Sequence, residues 1–587
     1  MSWPYKIILD LTDEQKSTRR LLLDRYGVYA QLSALIPILC YQLYRLAIWV
    51  LYARQRSKVR YDEVPSSPIS KHGRGQRTGM VVRKWRVVKW WLGGEVSEGW
   101  GGRGLWVAGV GWGAWLGFLC VRETGDDYIH ITKRFGVIAA SQLPIHYMLS
   151  MKSLYSPLAF LFRTSHEELN PWHRMTGRII YGLLICHAVW YMNLFVQISV
   201  LQKRLAAPVV IIGILGFIML TLLVTTSLEV VRRWSYRAFF IAHLTIGVSL
   251  MPLLFFHAPP LRIYVLEALA LFVFDIICRK IDTVTGFANI VQVPNTKLVK
   301  LTIPIPKSKI QRFAAAPGQH VYLQIPPEST PPNTSKLSIH DLCYNPFTVA
   351  SVSSTDITLV LRTLHGPTTK AIDTLSRLNK ARPPLNIEGP LGSSRHFPNL
   401  ARDYDRVIMV AGGVGATFVV PIYRDVRKGL VEEGKSPDRA TFVWSVRKTE
   451  EVGWAVGGDE AEDENEIDDG HGSPGFFEDE NLKVYLTTGY LAEGNHGDEA
   501  LLPVDGSVEM EDLQKDDDES VRGVRITAKQ RPDLKALVDE TFRLGREESV
   551  AVLVCGPKSM ARELRRHVGP WVEKGRDVWF HDESFGW

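Results

Sequence analysis

Between residues 29 and 280 the apolar positions come in long runs, each ended by charge, glycine or proline. A bilayer core of about 30 Å takes about 20 helical residues. Runs at 29–52, 104–122, 135–152, 173–195, 207–230, 236–257 and 261–280 approach or meet that length and predict seven crossings. Pro144 and His146 interrupt the third. Beyond 285 the pattern changes. To about 395, short strand-like stretches between Pro and Gly turns predict a small β-barrel. From about 405, strands alternate with helical stretches, which predicts a doubly wound parallel sheet. Acidic runs at 459–480 and 498–520 hold too few apolar positions to pack and are predicted as disordered insertions. The expected fold is multi-domain: a transmembrane α-helical bundle, a β-barrel and an α/β domain.

Charge orients the bundle. The net charge is +7, but the basic residues flank apolar runs, which points to membrane loops and away from nucleic acid. Seven crossings put Arg54 through Lys89, Arg163, Arg174, Arg232, Arg233, Arg237, Arg279 and Lys280 on one side, the cytoplasmic one. The N-terminus is then outside, and everything after Lys280 is cytoplasmic. Met1 to Asp24 lacks the apolar core of a cleaved signal peptide. Many of the 17 Trp lie beside the runs, where aromatic belts form. The basic, Trp-bearing, Gly-rich segment 54–103 reads as a flexible cytoplasmic loop or as a patch for anionic lipid. Six cysteines without a CxxC spacing indicate neither a zinc site nor a disulfide framework.

Four histidines carry the first chemistry. His173 and His187 are 14 residues apart in the fourth run, and His243 and His257 are 14 apart in the sixth. Fourteen residues return to within about 40° of the same helix face and rise about 21 Å. The two runs cross in the same direction, so His173 levels with His243 and His187 with His257. Two imidazoles at one level suit a low-spin haem used for electron transfer, with no open position on the iron. His130, His146 and His166 lack such partners and read as structural or loop residues.

The second half carries dinucleotide chemistry. Pro317-Gly318-Gln319-His320-Val321 reads as a turn entering a strand, and Pro346 to Ser351 offers a strand edge and hydroxyls for a flavin. His365-Gly366-Pro367-Thr368-Thr369-Lys370 reads as a helix start whose amides suit a pyrophosphate. Val407 to Thr417 is a buried strand ending in Gly412-Gly413-Val414-Gly415, glycines that let backbone approach a dinucleotide. Arg447 ends another strand, where it suits a 2′-phosphate and so NADPH. Cys555-Gly556-Pro557 ends a third strand beside the nicotinamide position.

Together these motifs, with Gly389-Pro390-Leu391-Gly392 and the closing Glu583-Ser584-Phe585-Gly586-Trp587, resemble the ferric reductase and NADPH oxidase superfamily over about 135–587. The 14-residue spacings, the closing motif and Ser165-His166-Glu167-Glu168-Leu169-Asn170 are most similar to fungal-type ferric-chelate reductases. Beyond the N-terminal spans and basic loop (1–134), which the apolar runs and charge define, the resemblance implies a haem domain (135–280), an FAD-binding barrel (285–395) and an NADPH-binding domain (405–587), the last two forming a ferredoxin-reductase-like module. It implies that Pro346, Phe347 and Thr348 contact FAD, and that Gly412, Gly413, Gly415, Arg447, Cys555, Gly556 and Pro557 contact NADPH. Phe585 would cover the flavin ring and move aside for nicotinamide. Arg531-Pro532-Asp533 is similar to the family's GRP motif, with Gln530 in place of glycine. The family's His before Pro-Phe-Thr is Asn345 here, which keeps a hydrogen bond and loses a positive charge.

The expected activity runs from cytoplasmic NADPH through FAD and two b-type haems to an outside acceptor. Fe(III) or Cu(II) chelates are expected at the plasma membrane, for metal uptake. Oxygen, as in a superoxide-generating oxidase, is the alternative, and a non-enzymatic haem-binding membrane protein is the third reading. EF-hand loops are absent from the sequence.

Overall fold

In the computed structural model the apolar runs of the first half are helices. The structure describes residues 5–59, 75–329, 344–364, 366–378, 382–455, 479–487, 526–545 and 548–583. Two compact units share them: one from the first 283 residues with Leu391–His396, the other from Val284–Pro390 and Phe397–Gly586.

Among the described residues of the first unit, four helices are long and apolar enough to cross a membrane: Arg103–Val121, His166–Gln197, Pro208–Thr226 and Tyr236–His257. They match four of the seven runs. The Pro208–Thr226 helix is apolar all round, yet Gly216 is its sole buried residue. A helix like that needs lipid rather than protein around it.

The other three runs differ in instructive ways. Residues 29–52 fall on two helices, Asp13–Ser33 and Leu35–Val59, which meet at Ala34. Residues 135–152 fall on Tyr128–Ser141 and the short Leu143–Met148, broken at Gln142. Pro144 has no N–H to continue the first helix. The last run is Arg262–Asp282, which carries Glu267, Asp275, Arg279, Lys280 and Asp282. Asp275 is buried there, and its carboxylate accepts from the backbone N–H groups of Lys152 (3.0 Å) and Ser153 (2.8 Å). A carboxylate with two amide donors is compensated for burial.

The second unit holds two sheets. The first is antiparallel and comprises β1 Val284–Phe287, β2 Asn289–Gln292, β3 Leu298–Pro304, β4 His320–Gln324, β5 Asn345–Val352, β6 Asp356–Arg362 and β7 Pro384–Leu391. Its order is β1-β7-β4-β5-β6-β3-β2. A Cβ on Gly286 of β1 would stand 2.6 Å from Ile303 Cγ2 and 2.8 Å from the Pro304 carbonyl oxygen on β3. This glycine lets the two sides of the sheet curl together into a nearly closed barrel. Alternate residues such as Leu301, Ile303, Val321, Leu323, Leu359 and Leu385 fill it.

The second sheet is parallel and comprises β8 Arg406–Gly412, β9 Ala440–Val446, β10 Leu482–Leu486, β11 Ile526–Ala528, β12 Val550–Cys555 and β13 Val578–Glu583. Its order is β11-β10-β9-β8-β12-β13. From β8 the chain first builds outward to β11, then returns to place β12 on the other side. That reversal makes the gap between the carboxyl ends of β8 and β12 the switch point where open α/β sheets bind ligands. Both central strands are buried on both faces, with Val407 through Ala411 and Val550 through Cys555 at most 1% exposed. This explains why they read as continuous apolar runs.

One boundary from the sequence is corrected. The first acidic segment extends to 480 by composition, but Asp479 is a buried structural residue. It pairs with Arg427, accepts from the Tyr423 hydroxyl at 2.5 Å and accepts from the Asn481 amide at 3.0 Å. These bonds fix the entry to β10. The residues 456–478 and 488–525, which hold the rest of both acidic runs, lie outside the described residues. Asp479→Ala would leave Arg427 and Tyr423 facing a void, and breaking a buried pair this way costs about 3 kcal/mol. We expect a clear drop in the unfolding temperature of the detergent-solubilised protein, measured beside Asp438→Ala, which removes an exposed carboxylate.

Candidate functional site

The four predicted histidines lie on the two helices expected. His173 and His187 project from His166–Gln197, and His243 and His257 from Tyr236–His257. The His173 and His243 rings lie side by side in an edge arrangement, with centroids 6.2 Å apart and planes crossed at 69°. With metal–imidazole bonds of about 2 Å, two rings on opposite sides of one metal have centroids roughly 6 Å apart.

Each ring also has its Nδ1 engaged. Nδ1–H of His173 donates to the His146 carbonyl at 3.0 Å, that of His187 to Thr132 at 2.8 Å and that of His257 to Val209 at 3.0 Å. His243 Nδ1 lies 3.0 Å from Ser227 Oγ, whose own hydroxyl donates to the Leu223 carbonyl at 2.6 Å. All four rings are therefore assigned as Nδ1–H tautomers from their partners. That leaves Nε2 with a lone pair in every case, as a metal-bound imidazole requires.

Glycines seat two of the rings. A Cβ on Gly136 would sit 2.8 Å from His187 Cε1, and one on Gly213 would sit 2.6 Å from His257 Cε1. Among the described residues no group of three or more His, Cys, Asp or Glu could hold a bare metal ion. The donor set, paired neutral imidazoles in an apolar bundle, fits a group that brings its own equatorial ligands, as haem does.

The second site lies at the switch point of the parallel sheet. Gly412-Gly413-Val414-Gly415 follows β8, and Cys555-Gly556-Pro557 ends β12; Ala411 pairs with Cys555 in the ladder. The two motifs touch backbone to backbone. A Cβ on Gly415 would be 2.4 Å from the Cys555 carbonyl oxygen, and one on Gly556 would be 3.1 Å from the Gly412 nitrogen. Gly413 has φ +55° and its carbonyl accepts from Trp444 Nε1 at 3.0 Å. Cys555 is buried, and burial, with the Glu583 carboxylate nearby, pushes its thiol well up, so it stays neutral.

Arg447 directly follows β9, whose Ser445 pairs with Gly412, so it stands at the same sheet end as the glycine turn. Sequence reasoning missed Arg362 and Glu451. Their ion pair (2.7 Å) sits against that turn, with Arg362 Nη2 3.6 Å from a Cβ on Gly413. Glu451 also accepts from the Arg447 backbone N–H at 3.3 Å. The partners are 89 residues apart, and no local pattern announces them.

The flavin motif is on the barrel. Pro346, Phe347 and Thr348 lie on β5, paired with Tyr322, Val321 and His320 of β4. Gly318, at φ +74°, has no room for a side chain: its Cβ would meet Ile422 Cδ1 at 2.6 Å. The Pro-Gly-Gln-His turn thus packs on the helix that follows the glycine turn. Asn345 Nδ2 donates to Thr368 Oγ1 at 2.7 Å, at the start of the Pro367–Arg377 helix capped by Gly366. Thr369 folds its hydroxyl back toward the Leu364 and Gly366 carbonyls, both at 3.0 Å. Phe585 and His365 lie outside the described residues.

A bundle with paired intramembrane histidines, followed by a barrel and a parallel sheet with a dinucleotide switch point, defines a membrane-embedded flavin- and nicotinamide-linked oxidoreductase. Comparison with known families places it more narrowly. Residues 135–256 match the ferric reductase like transmembrane component, 286–395 an FAD-binding domain and 404–569 the ferric reductase NAD binding domain. The chain belongs to the ferric reductase family.

Ferric reductase transmembrane component 1 of Schizosaccharomyces pombe is 25% identical over 54% of this chain; the match spans 60% of that relative's length. Ferric/cupric reductase transmembrane component 2 of the same yeast is 21% identical over 77% of this chain and 80% of its own. A probable metalloreductase of Scheffersomyces stipitis is 24% identical over 82% and 86%.

Proposed function

We propose that this chain carries electrons from cytoplasmic NADPH to Fe(III) or Cu(II) chelates outside the membrane in which it sits. The observation that carries the reading is the His173/His243 pair: centroids 6.2 Å apart and Nδ1 engaged on both rings, which leaves each Nε2 for an iron. The names of the ferric and cupric reductases it resembles favour a metal acceptor. FAD held on the barrel would supply the change from a two-electron donor to one-electron steps, and haem held by the histidine pairs would supply one-electron transfer.

The residues of the chain do the rest. Gly412, Gly413, Gly415 and Gly556 keep the switch point open to a dinucleotide. Arg447 stands where a 2′-phosphate would lie. Neutral Cys555 borders the nicotinamide position without placing charge beside it. Asn345 and Thr368 tie the flavin strand to a helix N-terminus. The bundle end that holds His173 and His243 also holds Arg174, Arg232 and Arg233, which supports a cytoplasmic orientation for it.

Membranes carrying the protein, supplied with NADPH, are expected to yield ferrozine-detectable Fe(II) that survives superoxide dismutase. Activity wholly abolished by dismutase would instead favour oxygen as acceptor. No NADPH oxidation with any acceptor would overturn the reading. Arg447→Ala is expected to raise KM for NADPH about tenfold, the worth of one hydrogen bond to a charged group, and to leave KM for NADH unchanged. Equal effects on both nucleotides would remove Arg447 from the phosphate site.

A further inference from the structure

His146 has no partner at the 14-residue spacing, yet the fold brings it into the first histidine site. The break at Gln142 starts this placement. Gln142 accepts from Trp112 Nε1 at 3.2 Å and donates to the Ala30 carbonyl at 3.1 Å, so the short Leu143–Met148 helix is held at its beginning. At its other end Tyr147 donates its hydroxyl to the Gly247 carbonyl at 3.2 Å, on the helix that carries His243. Between these anchors the His146 ring lies flat against the His173 ring, with centroids 4.0 Å apart and planes within 17°.

Three further features lock that stack. Thr176 donates its hydroxyl to the His173 carbonyl at 3.1 Å, so its oxygen accepts from His146 Nδ1–H at 2.8 Å. The His146 carbonyl accepts the Nδ1–H of His173. Gly177 leaves the space the ring enters: a Cβ there would be 3.1 Å from His146 Cε1. One residue therefore holds both the edge of the His173 imidazole, through its carbonyl, and its face, through its ring.

We propose that His146 is a positioning residue for His173, fixing the plane of that imidazole and with it the ligand field of the iron His173 would bind. This rests on reading His173 and His243 as a haem pair. Outer-shell partners of a metal-bound imidazole orient the ring and tune the metal. A parallel ring at van der Waals distance adds a rotational constraint that a hydrogen bond alone lacks. Its counterpart, His243, meets Phe239 tilted by 50° at 5.3 Å, so the two ligands of this pair are held differently.

The test uses the purified full-length protein, low-temperature electron paramagnetic resonance and a reductive titration. His146→Ala removes the ring and keeps the carbonyl, His146→Phe keeps a stacking ring, and Thr176→Val removes the anchor with little change of volume. His146→Ala and Thr176→Val are each expected to alter the low-spin signal of one of two centres. They should also change its reduced-to-oxidised ratio at fixed ambient potential about tenfold, with haem content unchanged and the other centre unmoved. His146→Phe should restore most of the signal.

Unchanged signal and potential in both His146→Ala and Thr176→Val would overturn the proposal. So would a His173→Ala protein that keeps two low-spin centres, because His146 would then be a ligand itself. If the unaltered protein shows no bis-imidazole signal, the haem reading underneath falls first.

Discussion

Replacing His187 with alanine is expected to cost more than about 100-fold in NADPH-driven reduction of an external ferric chelate, because outer-shell changes alone cost 10–100-fold at such sites. The ring is specified closely. Its Nδ1–H donates to the Thr132 carbonyl at 2.8 Å, and Gly136 leaves it room where a Cβ would stand 2.8 Å from the imidazole. It stands about 21 Å along the helix from His173, too far for the first pair to take its place. A soluble dye that accepts electrons directly from the flavin module should still be reduced at the normal rate. The reduced-minus-oxidised spectrum should lose one of two centres. His187→Ala with full external reduction would contradict a path through both histidine levels.

How much of this was readable in advance depended on the range of each interaction. The quartet was legible because a helix repeats: 14 residues bring a side chain back to nearly the same face whatever surrounds it. The acceptors at Thr132, Val209 and His146 were not, since they are backbone carbonyls presented by neighbouring helices, and any residue type could supply them. His146 shows the limit most clearly. Pro144 beside it marked a break in the third run, and the break was real, but a pattern along the chain cannot say which ring a kinked segment will lay against which.

The strands of the parallel sheet were legible for the opposite reason. Burial on both faces leaves a continuous apolar run, and β8 and β12 read so because they lie inside a parallel sheet with both faces covered. Arg362 and Glu451 come from different domains of the second unit, and their pairing exists only after the barrel packs on the sheet. Asp479 was lost to averaging: at the end of an acidic run, composition cannot tell that this carboxylate is buried against Arg427.

Adding one methyl group at Gly415 is expected to lower kcat/KM for NADPH by at least about tenfold, with haem content unaffected. The new Cβ would stand 2.4 Å from the Cys555 carbonyl oxygen, 2.8 Å from its carbon and 3.2 Å from Sγ. Ordinary overpacking costs 1–3 kcal/mol because side chains can shift. Here the obstacle is backbone of β12, held by β8 on one side and β13 on the other. The turn after β8 must move instead, and it frames the switch point. Each 1.4 kcal/mol of lost binding is tenfold, so the low end of that range is about fivefold, and a backbone obstacle that cannot shift takes the effect past tenfold.

Gly453→Ala is the control, because a Cβ there meets nothing within 4 Å in the same unit. Stopped-flow mixing of NADPH with the purified protein separates the two ways Gly415→Ala can act. A rate that saturates at higher NADPH but reaches the normal plateau would mean weaker docking alone. A lowered plateau would mean that nicotinamide no longer reaches the flavin correctly, which is the outcome expected if the Gly415–Cys555 contact sets the depth of the crevice. Normal kinetics in Gly415→Ala would show that the turn can yield, and would remove this contact from the account of nucleotide binding.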